Sequence, residues 1–355
     1  MCVRRPLLAG YRAAAGERGI TPMTMGPVTS SADETPVSVD EATATPPGVE
    51  PKQIEGRSLG RIAWTRLKRD RVALAGAVVI IFLVLVAVFA GVINKFLGHP
   101  VNEFHPEKVD PNLGGIPTPG TWGGISWDFL LGVEPPFGRD LFTQIIYGSR
   151  VSLVVALAAT LVAVVIGVVL GVVAGYFGGW VDSLISRLMD LVLSFPYLLL
   201  AIALISVLPP SFGWRISVVI GIIAFFSWPY IGRIVRGQTL SLREREFVEA
   251  AKSIGARSPR ILFRELLPNL AAPILVYATL IIPTNILFEA ALSFLGVGVP
   301  PPTPSWGRLL SEAVQFYEFD PLFMIVPGLA IFITVLAFNL FGDGLRDALD
   351  PRANR

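Results

Sequence analysis

The chain has 355 residues, of which 53% are hydrophobic and only 16% charged, and its mean hydropathy is +0.63. These values exclude an ordinary soluble globular domain and make the lipid bilayer the expected solvent. A formal net charge of +2 is too small to argue for nucleic acid, and a single cysteine, Cys2, excludes an intrachain disulfide.

Residues 1–56 are rich in Pro, Thr, Ser, Ala and acids, lack apolar periodicity, and read as a disordered tail. Arginines scattered between Cys2 and Ile20 interrupt any apolar core and argue against a secretory signal. Met23 and Met25 offer alternative starts, which intact-protein mass spectrometry distinguishes from a Cys2-containing chain. Residues 57–95 then combine a basic entry, with Arg57, Arg61, Arg66, Lys68, Arg69 and Arg71, with the first apolar run.

A helix needs about 20 apolar residues to cross hydrocarbon. Six runs free of Asp, Glu, Lys and Arg qualify: 72–94, 151–181, 191–214, 216–232, 266–288 and 321–342. The fourth is the weakest, because Trp228-Pro229 interrupts it and Arg215 clips its start. Continuous runs favour helices over barrel strands, which alternate apolar and polar residues. The expected fold is therefore all-α, with six transmembrane helices.

Short loops rich in Lys and Arg stay cytoplasmic, so the basic entry places the amino terminus inside. Counting spans then puts residues 96–149 outside, where Glu103, Glu107, Asp110, Asp128, Glu134 and Asp140 outnumber bases. A five-helix core over 150–345 carries a cytoplasmic loop at 233–272 with eight basic residues from Arg233 to Arg264, and a cytoplasmic tail follows at 346–355. His99 and His105 fall in the outward loop and read as solvated, with no metal site. None of Lys52, Lys68, Lys95, Lys108 or Lys252 follows a glycine, so no P-loop is present and no catalysis or cofactor is expected.

In the second span Gly167, Gly171 and Gly175 recur every fourth residue and permit close helix approach. Phe195-Pro196 and Pro283 are sites at which spans can kink. In the loop, residues 243–254 read as a helix whose apolar side is Phe247, Ala250, Ala251 and Ile254. Gly255 suits its carboxyl-terminal cap, a second helical stretch covers 259–267, and Pro268 with Pro273 marks the return to the membrane. Periodicity alone fits a docking helix and a helix lying on the lipid surface equally well. In the fifth span Asn285 and Glu289 lie one helical turn apart and face inward, as candidates for the pathway or for packing against Ser293. Trp214 and Trp306 are expected as anchors at the outer interface.

Residues 243–269, REREFVEAAKSIGARSPRILFRELLPN, resemble the cytoplasmic EAA loop of permease subunits in binding-protein-dependent ABC importers. Gly138-Arg139-Asp140 with residues 146–153, then 292–298, 301–307 and 338–351, are similar in the same order to dipeptide and oligopeptide permeases of the DppC/OppC-like type, so that the likeness covers about residues 58–352. The resemblance implies a MetI-like permease fold in the bacterial inner membrane, with the coupling loop between the fourth and fifth helices. It implies that Glu249, Ala250, Ala251, Gly255, Leu267 and Pro268 meet ATPase subunits. The partners so implied are two ATP-binding ABC subunits, a second homologous permease, an extracytoplasmic solute-binding protein and a peptide substrate. The chain departs from the family's pattern at Val133 to Phe137 and at Glu265, where a histidine is usual. Nickel, glutathione or another small solute are alternative cargoes. Outside the class stand a secondary transporter, for which the spans lack midplane carboxylates, and a non-transporting scaffold, which would not need the loop.

Overall fold

The computed structural model of the chain describes residues 64–118, 122–207, 209 and 214–349. The tail at 1–56, with Cys2, Met23 and Met25, lies outside the described residues, as do Arg57, Arg61 and residues 350–355. The described part is built from helices α1 (Arg71–Val88), α2 (Ala90–Leu97), α3 (Leu141–Phe177), α4 (Gly179–Ser194), α5 (Tyr197–Ser206), α6 (Arg215–Arg243), α7 (Glu246–Ser253), α8 (Ser258–Phe294), α9 (Trp306–Ala313) and α10 (Pro321–Leu349). Two short antiparallel ladders, β1 (Val109–Asp110) with β2 (Ile116–Pro117) and β3 (Val133–Glu134) with β4 (Arg139–Asp140), lie between α2 and α3. By length and composition α1, α3, α6, α8 and α10 can each cross a membrane, and the bent pair α4 and α5 supplies a sixth crossing if counted as one.

Local chemistry explains the helix ends. Asp70 starts α1 by accepting the amides of Val72 and Ala73 at 2.9 and 3.1 Å, and Asp140 starts α3 by accepting that of Phe142 at 3.1 Å. Helix α3 thus begins ten residues before the expected second span, and its 37 residues extend about 55 Å. The fourth span is also longer than its apolar run: α6 passes through Pro229, which is buried, and continues to Arg243.

The expected third span, 191–214, is not one helix. Helices α4 and α5 meet at 80°, with Phe195 extended at φ −81° and ψ 138°. Proline disfavours helical backbone at the residue before it and donates no amide of its own, so the chain turns at Phe195-Pro196. Pro268 has the opposite outcome. A six-residue π-helical stretch, Ile261–Leu266, precedes it within α8, and the helix continues without a separate re-entry. The wider turn re-registers the ladder where Pro268 has no N–H to donate.

The most extensive seam joins α3 to α6. A Cβ placed on Gly167 would sit 2.8 Å from the Trp228 carbonyl, one on Gly171 2.7 Å from the Gly232 carbonyl, and one on Gly175 2.6 Å from Thr239. The glycine repeat therefore lets the two backbones touch. Ile185, Met189 and Val192 of α4 pack with Ala224, Phe226 and Trp228 of α6 and with Ala163 and Ala174 of α3. Helix α8 closes the core against α3 and α10 through Ile282, Ile286, Ala290, Ile331 and Phe338.

Candidate functional site

Helix α7 sits where α6 and α8 meet, and it is held there by a narrow inward face. Val248 is 0% and Ala251 7% exposed, packed with Val172, Ile231, Val235, Ile261 and Leu266. The expected apolar side is thereby corrected. Of Phe247, Ala250, Ala251 and Ile254, only Ala251 points in; Phe247 and Ala250 are exposed and Ile254 is 79% exposed. An eight-residue helix between two long ones has room for one anchoring stripe, and Val248 with Ala251 takes it. The helix is also shorter than the expected 243–254, because residues 244–245 break it from α6.

Glu246 and Glu249 lie in the first turn and Lys252 in the last, matching the helix dipole. Gly255 closes the helix at φ +79°. Its amide bonds the Lys252 carbonyl at 2.9 Å and the Ala256 amide bonds the Ala251 carbonyl at 3.0 Å. This paired pattern is a Schellman cap and needs a left-handed residue, the role expected for Gly255. Glu249, Ala250 and Gly255 are exposed around this cap, as are Phe263 and Pro268 beyond it, while Leu267 is half-buried. The structure thus gathers the expected loop residues at one end of the bundle. Leu267 differs in its surroundings: with Val165, Val168, Ile274 and Leu275 it lines an open apolar groove between α3 and α8.

Asn285 and Glu289 are both fully buried. Asn285 accepts from the Ser227 hydroxyl of α6 and donates to the Thr160 hydroxyl of α3, each at 2.8 Å. Thr160 in turn donates to the Ala156 carbonyl at 2.8 Å. Three helices are therefore joined by one satisfied polar chain inside the apolar core. Glu289 accepts from the Ser293 hydroxyl at 2.7 Å, the contact expected from sequence, while its other carboxylate oxygen is buried with no hydrogen-bond partner among the described residues. Sequence reading missed Thr160 and Ser227 as partners of Asn285, since each is an ordinary small residue until helix packing brings it near.

At the opposite end of α3 the ladder region has a core of its own. His99 stacks on Phe129 with ring centroids 4.4 Å apart, and His105 meets both rings edge-on. Neither histidine is a solvated loop residue as expected: side-chain exposures are 28% and 14%. The His99 and Thr143 contacts to Asp140, at 3.4 and 2.8 Å, draw the loop onto the start of α3. Burial pushes the Glu134 carboxyl up to about 7, with the paired Arg139 opposing the rise. Trp306 is likewise not an interface anchor. It is 1% exposed, and its indole N–H donates to the Ile145 carbonyl at 3.1 Å, because α9 folds back over α3. Trp214 is exposed. Among the described residues no group of three His, Cys, Asp or Glu side chains could hold a metal ion.

Comparison with known proteins agrees with this architecture. The family described as binding-protein-dependent transport system inner membrane component matches residues 167–355, and the N-terminal transmembrane domain of oligopeptide transport permease C matches residues 58–111. The dipeptide transport system permease protein DppC of Alkalihalophilus pseudofirmus is 40% identical over 89% of this chain and 97% of that protein. The glutathione transport system permease protein GsiD of Shigella flexneri is 42% identical over 86% and 94%. Among solved structures, the MetNI methionine ABC transporter in inward-facing conformations covers 58% of this chain and 96% of the matched chain, at 20% identity and a TM-score of 0.46. With a family match over more than half of its length and relatives aligned almost end to end, the chain belongs to the binding-protein-dependent transport system inner membrane components and is a membrane-integral permease subunit of an ABC importer.

Proposed function

We propose that the chain forms half of the translocation pathway of a peptide importer and receives its drive at α7. The observation that carries this reading is the split of α7 into an inward stripe, Val248 and Ala251, and an outward surface bearing Phe247, Glu249, Ala250 and Ile254. A helix already anchored on its own chain, with large apolar groups turned away from it, is suited to helix-in-groove docking. Glu249, Ala250 and Gly255 contact an ATP-binding subunit; Ala251 holds α7 in place, and Leu267 and Pro268 fix the entry to α8. Two such subunits, a second homologous permease and an extracytoplasmic binding protein complete the importer. The chain itself hydrolyses nothing, lies in the bacterial inner membrane with both termini cytoplasmic, and keeps residues 96–149 outside. Asn285 and Glu289 serve packing, as their buried hydrogen bonds support.

The cargo class rests on the dipeptide permease relative, with glutathione, the cargo in the name of GsiD, as the second reading. Uptake of radiolabelled dipeptides and glutathione by proteoliposomes holding the whole importer separates them: competition by dipeptides alone supports the first, and by glutathione alone the second. Glu249→Ala and Gly255→Val are expected to abolish uptake while the chain stays inserted. Normal uptake in both variants would overturn the assignment of the loop.

A further inference from the structure

Helix α4 is joined to α6 by charges that the docking of α7 does not use. Asp182, in the first turn of α4, accepts from both Nε and Nη2 of Arg236, the latter at 2.7 Å. Further along, Asp190 accepts from Arg233 Nη2 at 2.6 Å. The numbering rises along α4 as it falls along α6, so the two helices run side by side in opposite directions. Beside the second pair Met189 covers Gly232, where a Cβ would meet its Cε at 2.9 Å. The two ion pairs differ in worth. Arg233 and Asp190 are 51% and 64% exposed, whereas Arg236 and Asp182 are 31% and 19% exposed. Exposed single-contact pairs contribute little; a bidentate, half-buried guanidinium and carboxylate fix geometry as well as attraction.

The position of this tie gives it a consequence. Seven residues after Arg236, Arg243 ends α6 and donates to the Gly175 carbonyl of α3 at 3.0 Å, and α7 begins three residues later. At its other end α4 stops at Ser194, where the chain bends by 80° into α5. Helix α4 is therefore clamped to the element that carries α7 and jointed at its far end. The glycine seam makes α3 and α6 one unit to which α4 is added.

We propose that Asp182 and Arg236 are a positioning pair that makes α4 follow α6, so that displacement of α7 reaches the bend at Phe195-Pro196. The proposal rests on the reading of α7 as the receiver of ATPase drive. In that reading the bend is the joint at which α4, moving with α3 and α6, changes its angle to α5.

The test uses the complete importer in proteoliposomes, with ATP hydrolysis and solute uptake measured on the same preparation. Asp182→Asn and Arg236→Gln are expected to keep hydrolysis that responds to the binding protein while uptake per ATP falls about tenfold. The reversed pair, D182R with R236D, is expected to recover uptake to within about threefold of wild type, incompletely because a guanidinium in the first turn of α4 would oppose the helix dipole. Unchanged uptake per ATP in the single variants, equal loss of hydrolysis and uptake, or a reversed pair no better than its parents would overturn the proposal. A measurement that leaves the pair intact guards against variants that fail to assemble. With Cys2→Ser removing the only cysteine, spin labels at Leu184 and Gln238 are expected to keep one distance with and without trapped ATP, while labels at Leu184 and Leu199 change theirs. A changed Leu184 to Gln238 distance, or an unchanged Leu184 to Leu199 distance, sinks it. If Glu249→Ala and Gly255→Val transport normally, the reading of α7 fails first; if they are inactive and the reversed pair is too, only this proposal fails.

Discussion

The two ends of α3 are finished in different ways. At the end bearing the β ladders, side chains that sequence marks as polar or interfacial are turned inward and matched: His99 and His105 pack on Phe129, Thr143 and His99 reach Asp140, and Trp306 is 1% exposed with its N–H bonded. At the end bearing α7 the reverse holds, and Phe247, Ile254 and Phe263 are turned out although each is a large apolar group. The packed groups named at the first end meet partners within the chain, so their substitution should act through folding, although that end too leaves Phe104, Trp122, Trp127 and Phe137 exposed. The second leaves apolar surface to be covered by something else, so its residues should act through assembly.

That contrast breaks most clearly at Gly255 and Glu249. Gly255→Val forces a β-branched residue to φ +79°, at a cost of roughly 1–2 kcal/mol, small enough to leave the chain inserted while uptake falls to background. Uptake in proteoliposomes, read beside protease protection of the spans, checks both halves of that statement. Next in size is the core link between the two ends. Asn285→Leu leaves the Ser227 and Thr160 hydroxyls without their partner, and should lower stability by about 1–3 kcal/mol, measured as the thermal unfolding midpoint in detergent, with hydrolysis per folded complex unchanged.

Phe247→Ala and Ile254→Ala sharpen the comparison from the other side. Ile254→Ala should leave the unfolding midpoint within about 0.5 kcal/mol of wild type, as for exposed positions generally, whereas Phe247→Ala, at a position 37% exposed, should lose more. Each should weaken copurification of the ATP-binding subunit by up to about 1.5–3 kcal/mol if the side chain is fully covered on docking. A further difference concerns the pH response of Glu134. Its carboxyl is raised from an ordinary 4.5 to about 7 by burial, so the folded chain holds a proton that the unfolded chain releases. The resulting stability is fully present below the unfolded value and is lost as pH rises through about 7. The unfolding midpoint of the wild type should therefore fall between about pH 5 and about pH 8, and Glu134→Gln should flatten that slope.

Much of this architecture is legible in the sequence because it depends on local rules. Apolar run length locates the spans, the glycine spacing of α3 marks the seam with α6, and Gly255 marks a helix end. What cannot be read depends on three-dimensional neighbours. Phe195-Pro196 announces a kink, yet the 80° turn follows from how α4 lies along α6. Residues 247, 250, 251 and 254 form one helical stripe, but 248 and 251 form another, and only the packing of Val172, Ile231 and Ile261 selects the second as the inward one. Trp306 reads as an interface anchor because aromatics favour that depth; the fold of α9 onto α3 overrides the tendency. The partners of Asn285 are invisible for the same reason, since Thr160 and Ser227 come from helices 125 and 58 residues away.

The central claim is that the outward face of α7 is where an ATP-binding subunit sits. Single cysteines at Phe247, Ala250 and Ile254, and at the inward Val248 and Ala251, in a Cys2→Ser background and coupled to a short photoreactive probe, test it on the assembled importer. The account predicts adducts with the ATP-binding subunit from 247, 250 and 254 and none from 248 and 251. Adducts with lipid alone from the three outward positions would contradict it and return α7 to a helix lying on the membrane surface.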